Sequence, residues 1–324
     1  MEKRKLGTSS LEVPVICLGG NVYGWTLSET DTFHQLDKAL AEGLNFVDTA
    51  DMYSNWIPGH KGGESETILG NWFKKSGKRK NVILATKVGL PMGEDKKGLK
   101  AGYIKQAVED SLKRLQTDHI DLYQAHRDDE ETPLEETLKA FDELVKAGKV
   151  RYIGASNYSG ARLTEAMEIS KKNNLAAFVS LQPHYNLVER QEFESDLLTA
   201  VEKYNIGVIP YFSLAAGFLS GKYKSKADAE GKARGGMVGK YLNDYGFGVV
   251  KALEEVAKET GSTPSRVALA WLIAQPGITS PIASATSDKQ VEDLVEATKL
   301  KLDTAAIEKL TNVSTPPAPV RAEP

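Results

Sequence analysis

The sequence predicts a (β/α)8 barrel of the TIM-barrel class, with extra helices, and three observations lead there. Eight short, nearly continuous apolar runs recur along the chain, amphipathic stretches separate them, and no linker interrupts the alternation. Continuous apolar runs suit parallel strands buried on both faces, whereas a half-exposed strand would alternate. An open doubly wound sheet is the alternative, but eight regular repeats fit closure better.

The first strand is expected in "VPVICLGG". The others follow in "NFVD", "VILATK", "IDLYQAH", "VRYIGAS", "FVSLQP", "IGVIPYF" and "SPIASA". Helices are expected over Asp31–Glu42, Glu64–Phe73, Tyr103–Leu115, Ala161–Lys172, Glu192–Tyr204 and Asp288–Ala297. Two more carry legible ends. In "TPLEETLKAFDELVKAGKV" Thr132 reads as the N-cap, Pro133 as the first helical residue, Glu135 as the capping-box partner and Gly148 as the stop. "GSTPSRVALAWLIAQPG" repeats the pattern with Thr263 and Pro264 and ends at Pro276–Gly277. A Gly- and Lys-rich segment, 221–246, precedes an added helix over Phe247–Thr260. Residues 1–313 read as one catalytic domain, and the Pro-rich 314–324 as a disordered tail.

A net charge of −3 offers no reason to expect nucleic acid or an anionic membrane as partner. The single cysteine, Cys17, excludes an internal disulfide and lies in an apolar run, as an inert thiol would. "MEKRKLGTSS" lacks the apolar core of a signal peptide, and "GVIPYFSLAAGFL" is too short to span a bilayer and is broken by Pro210 and Gly217. A cytoplasmic setting is expected. His34, His60, His119, His126 and His184 show no metal-ligand spacing and no CxxC exists, so no metal site is expected.

Barrel enzymes place chemistry at the C-terminal ends of their strands. The second expected strand ends in Asp48 with Tyr53 five residues on, the third in Lys87 and the fourth in His126. Singly these could be an Asx turn, a rim lysine and a loop histidine. At the ends of consecutive strands they form one constellation, suited to proton transfer to a carbonyl oxygen coupled to hydride delivery. A tyrosine with a pKa near ~10 is a proton donor at neutral pH. Lys87 is expected to stabilise its phenolate, a two-unit shift being worth about 2.7 kcal/mol. Asp48 would hold Lys87, and a neutral His126 would orient the carbonyl. Asp51 reads as a turn residue.

"NFVDTADMYS", "ATKVG", "DLYQAH", "IGASN" and "PYFSLAAGFLSGKY", in that order and over residues 5–313, resemble the aldo-keto reductase superfamily. The resemblance is nearest to bacterial members of the branch that contains the potassium-channel β subunits. It implies a (β/α)8 barrel, a tetrad of Asp48, Tyr53, Lys87 and His126, and reversible nicotinamide-dependent reduction of an aldehyde or ketone with Tyr53 as general acid. It also implies that Ser156, Asn157 and Gln182 hydrogen-bond the carboxamide and that Tyr211 stacks on the nicotinamide.

No GxGxxG opens a helix here, so phosphates are sought after the last two strands. Leu214 and Lys222 in "LAAGFLSGKY" are candidates for the pyrophosphate. The helix start "ATSDKQVEDL" brings Thr286, Lys289 and Gln290, although Ser287 and Gln290 also form a capping box. Lys289, Lys222 and Arg234 would neutralise a 2′-phosphate. The family's frequent basic residue is Thr286 here and its common Asn is Leu294, so NADP(H) is expected and NAD(H) is the alternative. Tyr23, Trp25 and Trp56 either line the substrate mouth or pack loops onto the rim. A cofactor-sensing binding subunit and a Schiff-base aldolase built on Lys87 are the competing classes.

Overall fold

The computed structural model describes residues 1–317. An antiparallel hairpin, β1 (Lys3–Lys5) and β2 (Glu12–Pro14), precedes eight parallel strands. These are β3 (Cys17–Gly19), β4 (Phe46–Asp48), β5 (Ile83–Val88), β6 (Ile120–Ala125), β7 (Val150–Ser156), β8 (Phe178–Gln182), β9 (Gly207–Val208) and β10 (Ile282–Ala283). Their order is β10-β3-β4-β5-β6-β7-β8-β9, each strand beside its sequence neighbour. The two ends of that row also meet. Thr279 N donates to Val208 O at 2.8 Å and Ile282 N to Pro210 O at 2.9 Å, so the seam is held by a few bonds.

The helices α1 (Glu29–Ala41), α2 (Glu64–Ser76), α3 (Ala101–Leu115), α4 (Leu134–Lys146), α5 (Gly160–Asn173) and α6 (Leu198–Tyr204) follow strands as an outer layer. The segment after β9 holds α7 (Gly235–Val238) and α8 (Asp244–Glu259); α9 (Pro264–Ile273), α10 (Asp288–Lys299) and α11 (Thr304–Val313) complete the chain. All six residues of β6 are buried, as a near-continuous apolar run requires. Among the described residues no helix is long and apolar enough to cross a membrane.

Two cores result. The large one lies between strands and helices. The small one fills the N-terminal end of the barrel, where Leu6, Leu11 and Val13 of the hairpin meet Cys17, Phe46, Leu122, Val179 and Ile209. The hairpin is thus a plug, which leaves the opposite end free for a site. At its turn a Cβ on Gly7 (φ +53°) would lie 2.2 Å from Val179 O, so only glycine fits there. Burial in this core pushes the Cys17 thiol pKa well up, consistent with an inert sulfur.

Helix ends follow the expected chemistry with one exception. Ser28, Ser159, Thr263 and Ser287 accept N-cap bonds, and Pro264 opens α9. Thr132 does not cap α4. Its hydroxyl donates instead to Asp129 Oδ2 at 2.7 Å, Glu135 pairs along the helix with Lys139 at 2.6 Å, and the helix starts at Leu134. Gly148 does stop it, at φ +73°. The hairpin and α11 were not anticipated: three-residue strands in a charged N-terminus carry almost no periodic signal. Of the expected tail, Ser314 receives a 2.9 Å bond from Arg190 Nη1, and 318–324 lie outside the described residues.

α2 and α3 pack closely at Gly70, where a Cβ would lie 2.1 Å from Arg114 O. Gly70→Ala is expected to lower stability by about 1–3 kcal/mol through overpacking, despite a helix-propensity gain of up to ~1 kcal/mol. Urea unfolding measures this; an unchanged or raised midpoint would refute the close approach.

Candidate active site

β5 carries Lys87 into the barrel interior, where the side chain is fully buried. A buried ammonium requires acceptors, and one segment supplies all three. Its Nζ donates to Asp48 Oδ2 at 2.6 Å, to Thr49 O at 2.8 Å and to Tyr53 Oη at 3.1 Å. Burial by itself favours neutral lysine, but Asp48 and then Tyr53 outweigh it and push the Lys87 pKa up to about 12. Lys87 is therefore a fixed cation. The second Asp48 oxygen, Oδ1, accepts from Gln124 Nε2 and Gln182 Nε2, both at 3.0 Å.

Tyr53 is half-buried, and its pKa lies above the ordinary value. Burial raises it, and the opposing pull of Lys87 does not overcome that. This corrects the expectation of a lowered Tyr53: Lys87 shares its charge with Asp48, so the phenolate sees a screened cation. The His126 ring lies 5.9 Å from the Tyr53 ring, between centroids. Burial, then Lys87 and Arg127, hold the imidazole pKa well below the usual histidine range, so it is neutral at physiological pH. Its Nδ1 is buried without a partner. That leaves Nε2 as the ring atom able to meet a ligand. Asp51 lies in a turn, as expected, with Tyr53 N donating to Ala50 O across it at 3.2 Å, but it is fully buried, and both carboxylate oxygens lack partners among the described residues. Burial, then Glu66, raises its pKa well above the carboxylate range.

The residues expected at the nicotinamide cluster after β7, β8 and β9. Ser156 Oγ donates to Gln182 O at 2.8 Å. Asn157, in the left-handed region at φ +53°, donates to His126 O at 2.8 Å and accepts from Tyr211 Oη at 2.9 Å. The His184 ring stacks on Tyr211, 5.1 Å between centroids and 15° from parallel, so one face of Tyr211 is covered. Gln182 commits its amide nitrogen to Asp48 and to Gln124 Oε1.

The loop after β9 has an unusual backbone. Phe212, Ala215 and Ala216 have φ of +52°, +47° and +56°, beside Gly217 at +93°. Positive φ at non-glycine residues costs energy and clusters at ligand sites. Leu214 begins this turn and accepts from Gly217 N at 2.8 Å and Leu219 N at 3.2 Å. Burial, then Arg234 and Lys232, lower the Lys222 pKa. Arg234 stands over the Trp25 ring at 5.4 Å. Lys289 does not join this group: its ammonium pairs with Asp293 at 2.7 Å, one helical turn on. Thr286 and Gln290 bond to each other, Thr286 N donating to Gln290 Oε1 at 2.7 Å, and Ser287 caps α10.

The outer wall is aromatic. Trp25 lies 5.6 Å from Trp56 and Trp56 lies 5.7 Å from Tyr53, centroid to centroid, with Trp56 41% exposed. Tyr23 does not share that wall. It is fully buried with its hydroxyl unpartnered, packed where a Cβ on Gly20 would lie 3.0 Å from its ring. Sequence reasoning missed Gln124 and Lys232. Gln124 sits mid-strand in "DLYQAH", where a buried polar residue was the available signal.

Residues 15–315 match the aldo/keto reductase family model. An uncharacterized oxidoreductase of Bacillus subtilis, YrpG, is 36% identical over 321 residues, which cover 97% of this chain and 96% of that protein. Protein tas of Escherichia coli is 34% identical over 348 residues, covering 98% and 100%. A Schizosaccharomyces pombe protein named as a voltage-gated potassium channel β subunit is 33% identical over 320 residues, covering 95% and 89%. The chain belongs to the aldo/keto reductase family and is an oxidoreductase of that family.

Two outcomes follow from the buried charges. Lys87→Met leaves the Asp48 carboxylate without its cation and is expected to cost about 3–5 kcal/mol at pH 7, with Asp48→Asn/Lys87→Met recovering most of it. Because the folded pKa is raised, the wild-type contribution is complete below the unfolded value of about 10.4 and is lost as pH rises through about 12. Denaturant midpoints across pH test both statements, and a single variant as stable as wild type would contradict them. For His126, the imidazole Cε1–H resonance should stay flat between about pH 5 and 8. A titration midpoint inside that range would show that burial does not hold the ring neutral.

Proposed function

We propose that the protein is an NADP(H)-dependent reductase of aldehydes and ketones, working reversibly, with Tyr53 as general acid and base. The observation that carries this reading is the Lys87 ammonium held between Asp48 and the Tyr53 hydroxyl, beside a neutral His126. A reduced nicotinamide, when bound, supplies the hydride. The protein's own part is to place a proton. Tyr53, protonated at neutral pH, delivers it to the carbonyl oxygen, and Lys87 stabilises the phenolate left behind. Asp48 keeps Lys87 charged and pointed; Gln124 and Gln182 keep Asp48 from turning away. His126 donates a hydrogen bond from Nε2 and orients the substrate without competing as an acid. In the oxidative direction the same groups act in reverse.

The residues after β7 to β9 fit a nicotinamide. Tyr211 has one face against His184 and the other left for a ring, and Gln182 keeps a carbonyl oxygen that makes no other bond. Ser156 and Asn157 lie beside it to bond the carboxamide. For the phosphates, Lys222 feels the charges of Arg234 and Lys232, and none of the three has a carboxylate partner among the described residues, a repulsive arrangement that an anion would relieve. Leu214 and the left-handed turn offer backbone N–H groups. Lys289, Thr286 and Gln290 at α10 are already bonded to protein groups, so their contact with an adenosine phosphate requires exchange of partners. NAD(H) is the alternative for that reason. Trp25 and Trp56 wall the substrate mouth. A Schiff-base aldolase is disfavoured, because a lysine held charged up to about pH 12 is a poor nucleophile.

Tyr53→Phe is expected to lower NADPH-dependent aldehyde reduction about 10²–10⁴-fold while leaving cofactor affinity nearly intact. Calorimetric titration of NADPH and NADH into wild type and Lys222→Ala/Arg234→Ala completes the test. NADPH binding that collapses in the double variant supports the phosphate assignment. Equal affinity for both cofactors points to NAD(H), and binding of neither defeats the reductase reading.

A further inference from the structure

We infer that Arg127 is an anchor for a negatively charged group on the substrate, so that the preferred carbonyl compounds carry a carboxylate or a phosphate. This rests on the reductase reading and deepens it. Arg127 follows His126 directly, on the turn that leaves β6 at the open end of the barrel. It is exposed, and it makes no hydrogen bond or ion pair among the described residues. That is exceptional for an arginine here. Arg4, Arg79, Arg114, Arg151, Arg162, Arg190 and Arg266 each pair with a carboxylate. Among the described residues only Arg234, grouped with the lysines proposed for the cofactor phosphates, likewise pairs with no carboxylate, and it is half-buried.

The lack of a partner is not for want of nearby acids. Asp128 is taken by Arg162, whose Nε and Nη2 reach it at 2.7 and 3.1 Å. Asp129 is taken by Leu99 N and the Thr132 hydroxyl, both at 2.7 Å. This is also why Thr132 fails to cap its helix. With its neighbours committed, Arg127 lies next to His126 in the chain at the open end of the barrel, and its charge bears on both His126 and Tyr211. Two carboxylates act on Tyr211 from the same rim. Glu189 accepts from Tyr241 at 3.0 Å and pairs with Lys240, and Glu192 is exposed and makes no pair among the described residues. The open end therefore carries both an aromatic wall of Trp25 and Trp56 and, on the turn after β6, a planar cation without a carboxylate partner among the described residues. An arginine fork suits a carboxylate or phosphate attached beyond the reacting carbonyl.

The test compares matched aldehydes in the holoenzyme: 4-carboxybenzaldehyde against methyl 4-formylbenzoate, and 4-formylphenyl phosphate against 4-methoxybenzaldehyde. Wild type is expected to favour the charged member of at least one pair by about tenfold or more in kcat/KM, mostly through KM. The pair showing the larger ratio says whether carboxylate or phosphate is preferred. Arg127→Ala should bring the ratio towards one, Arg127→Lys should keep part of it, and Glu192→Gln should raise it. A wild-type ratio near or below one, or a ratio untouched in Arg127→Ala, overturns the inference. If none of the aldehydes turns over, the reductase reading fails. The anion site is then judged by calorimetric binding of 4-(hydroxymethyl)benzoate against its methyl ester in wild type and Arg127→Ala, with the same ratios deciding.

Discussion

A lysine ammonium with no access to water must be matched by acceptors on every N–H, and the centre of this barrel is arranged around that demand. Lys87 meets it with Asp48, the Thr49 carbonyl and Tyr53, all from the end of one neighbouring strand. The match creates a second demand, since Asp48 is itself buried and has another oxygen to satisfy. Gln124 and Gln182 answer it from two further strands. Four strands are thus tied to one proton-rich nitrogen. The position of the Tyr53 hydroxyl, on which the proposed chemistry turns, is a consequence of that network.

Charge is distributed unequally around the open end. At the centre the charges are paired and buried, and His126 is kept neutral by burial and by the cations near it. Towards the rim four cations have no carboxylate partner among the described residues, Lys222, Lys232 and Arg234 after β9 and Arg127 after β6, whereas Lys240 pairs with Glu189. The chain as a whole is slightly acidic, at −3, so this local excess of positive charge is no reflection of composition. On the β6 side it is set by Asp128 being committed to Arg162 and Asp129 to Leu99 N and the Thr132 hydroxyl. Such a mouth attracts anions and leaves the proton donor uncharged.

Much of this was legible beforehand, because the signals were local. Apolar runs of parallel strands, N-caps such as Ser287 and Thr263–Pro264, and polar residues at strand ends all depend on a few neighbouring positions. The failures share a cause of the opposite kind. Thr132 has the right neighbours for a cap, yet Asp129 takes its hydroxyl. Lys289 reads as a free cation until Asp293 is seen one helical turn away. Tyr23 sits in a loop that resembles a mouth and turns inward instead. The sign of the Tyr53 shift depended on how much burial opposes Lys87, which no spacing encodes.

The sequence by itself determined the alternation of strands and helices, the family, and the identity of the four polar residues at strand ends. Those follow from periodicity and from motifs a few residues long. Tertiary structure decided the rest: that Gln182 serves Asp48, that His126 is neutral, and that Arg127 is left without a carboxylate among the described residues. The physical reason is that partner choice and burial arise between residues distant along the chain. They exist only once the barrel has closed.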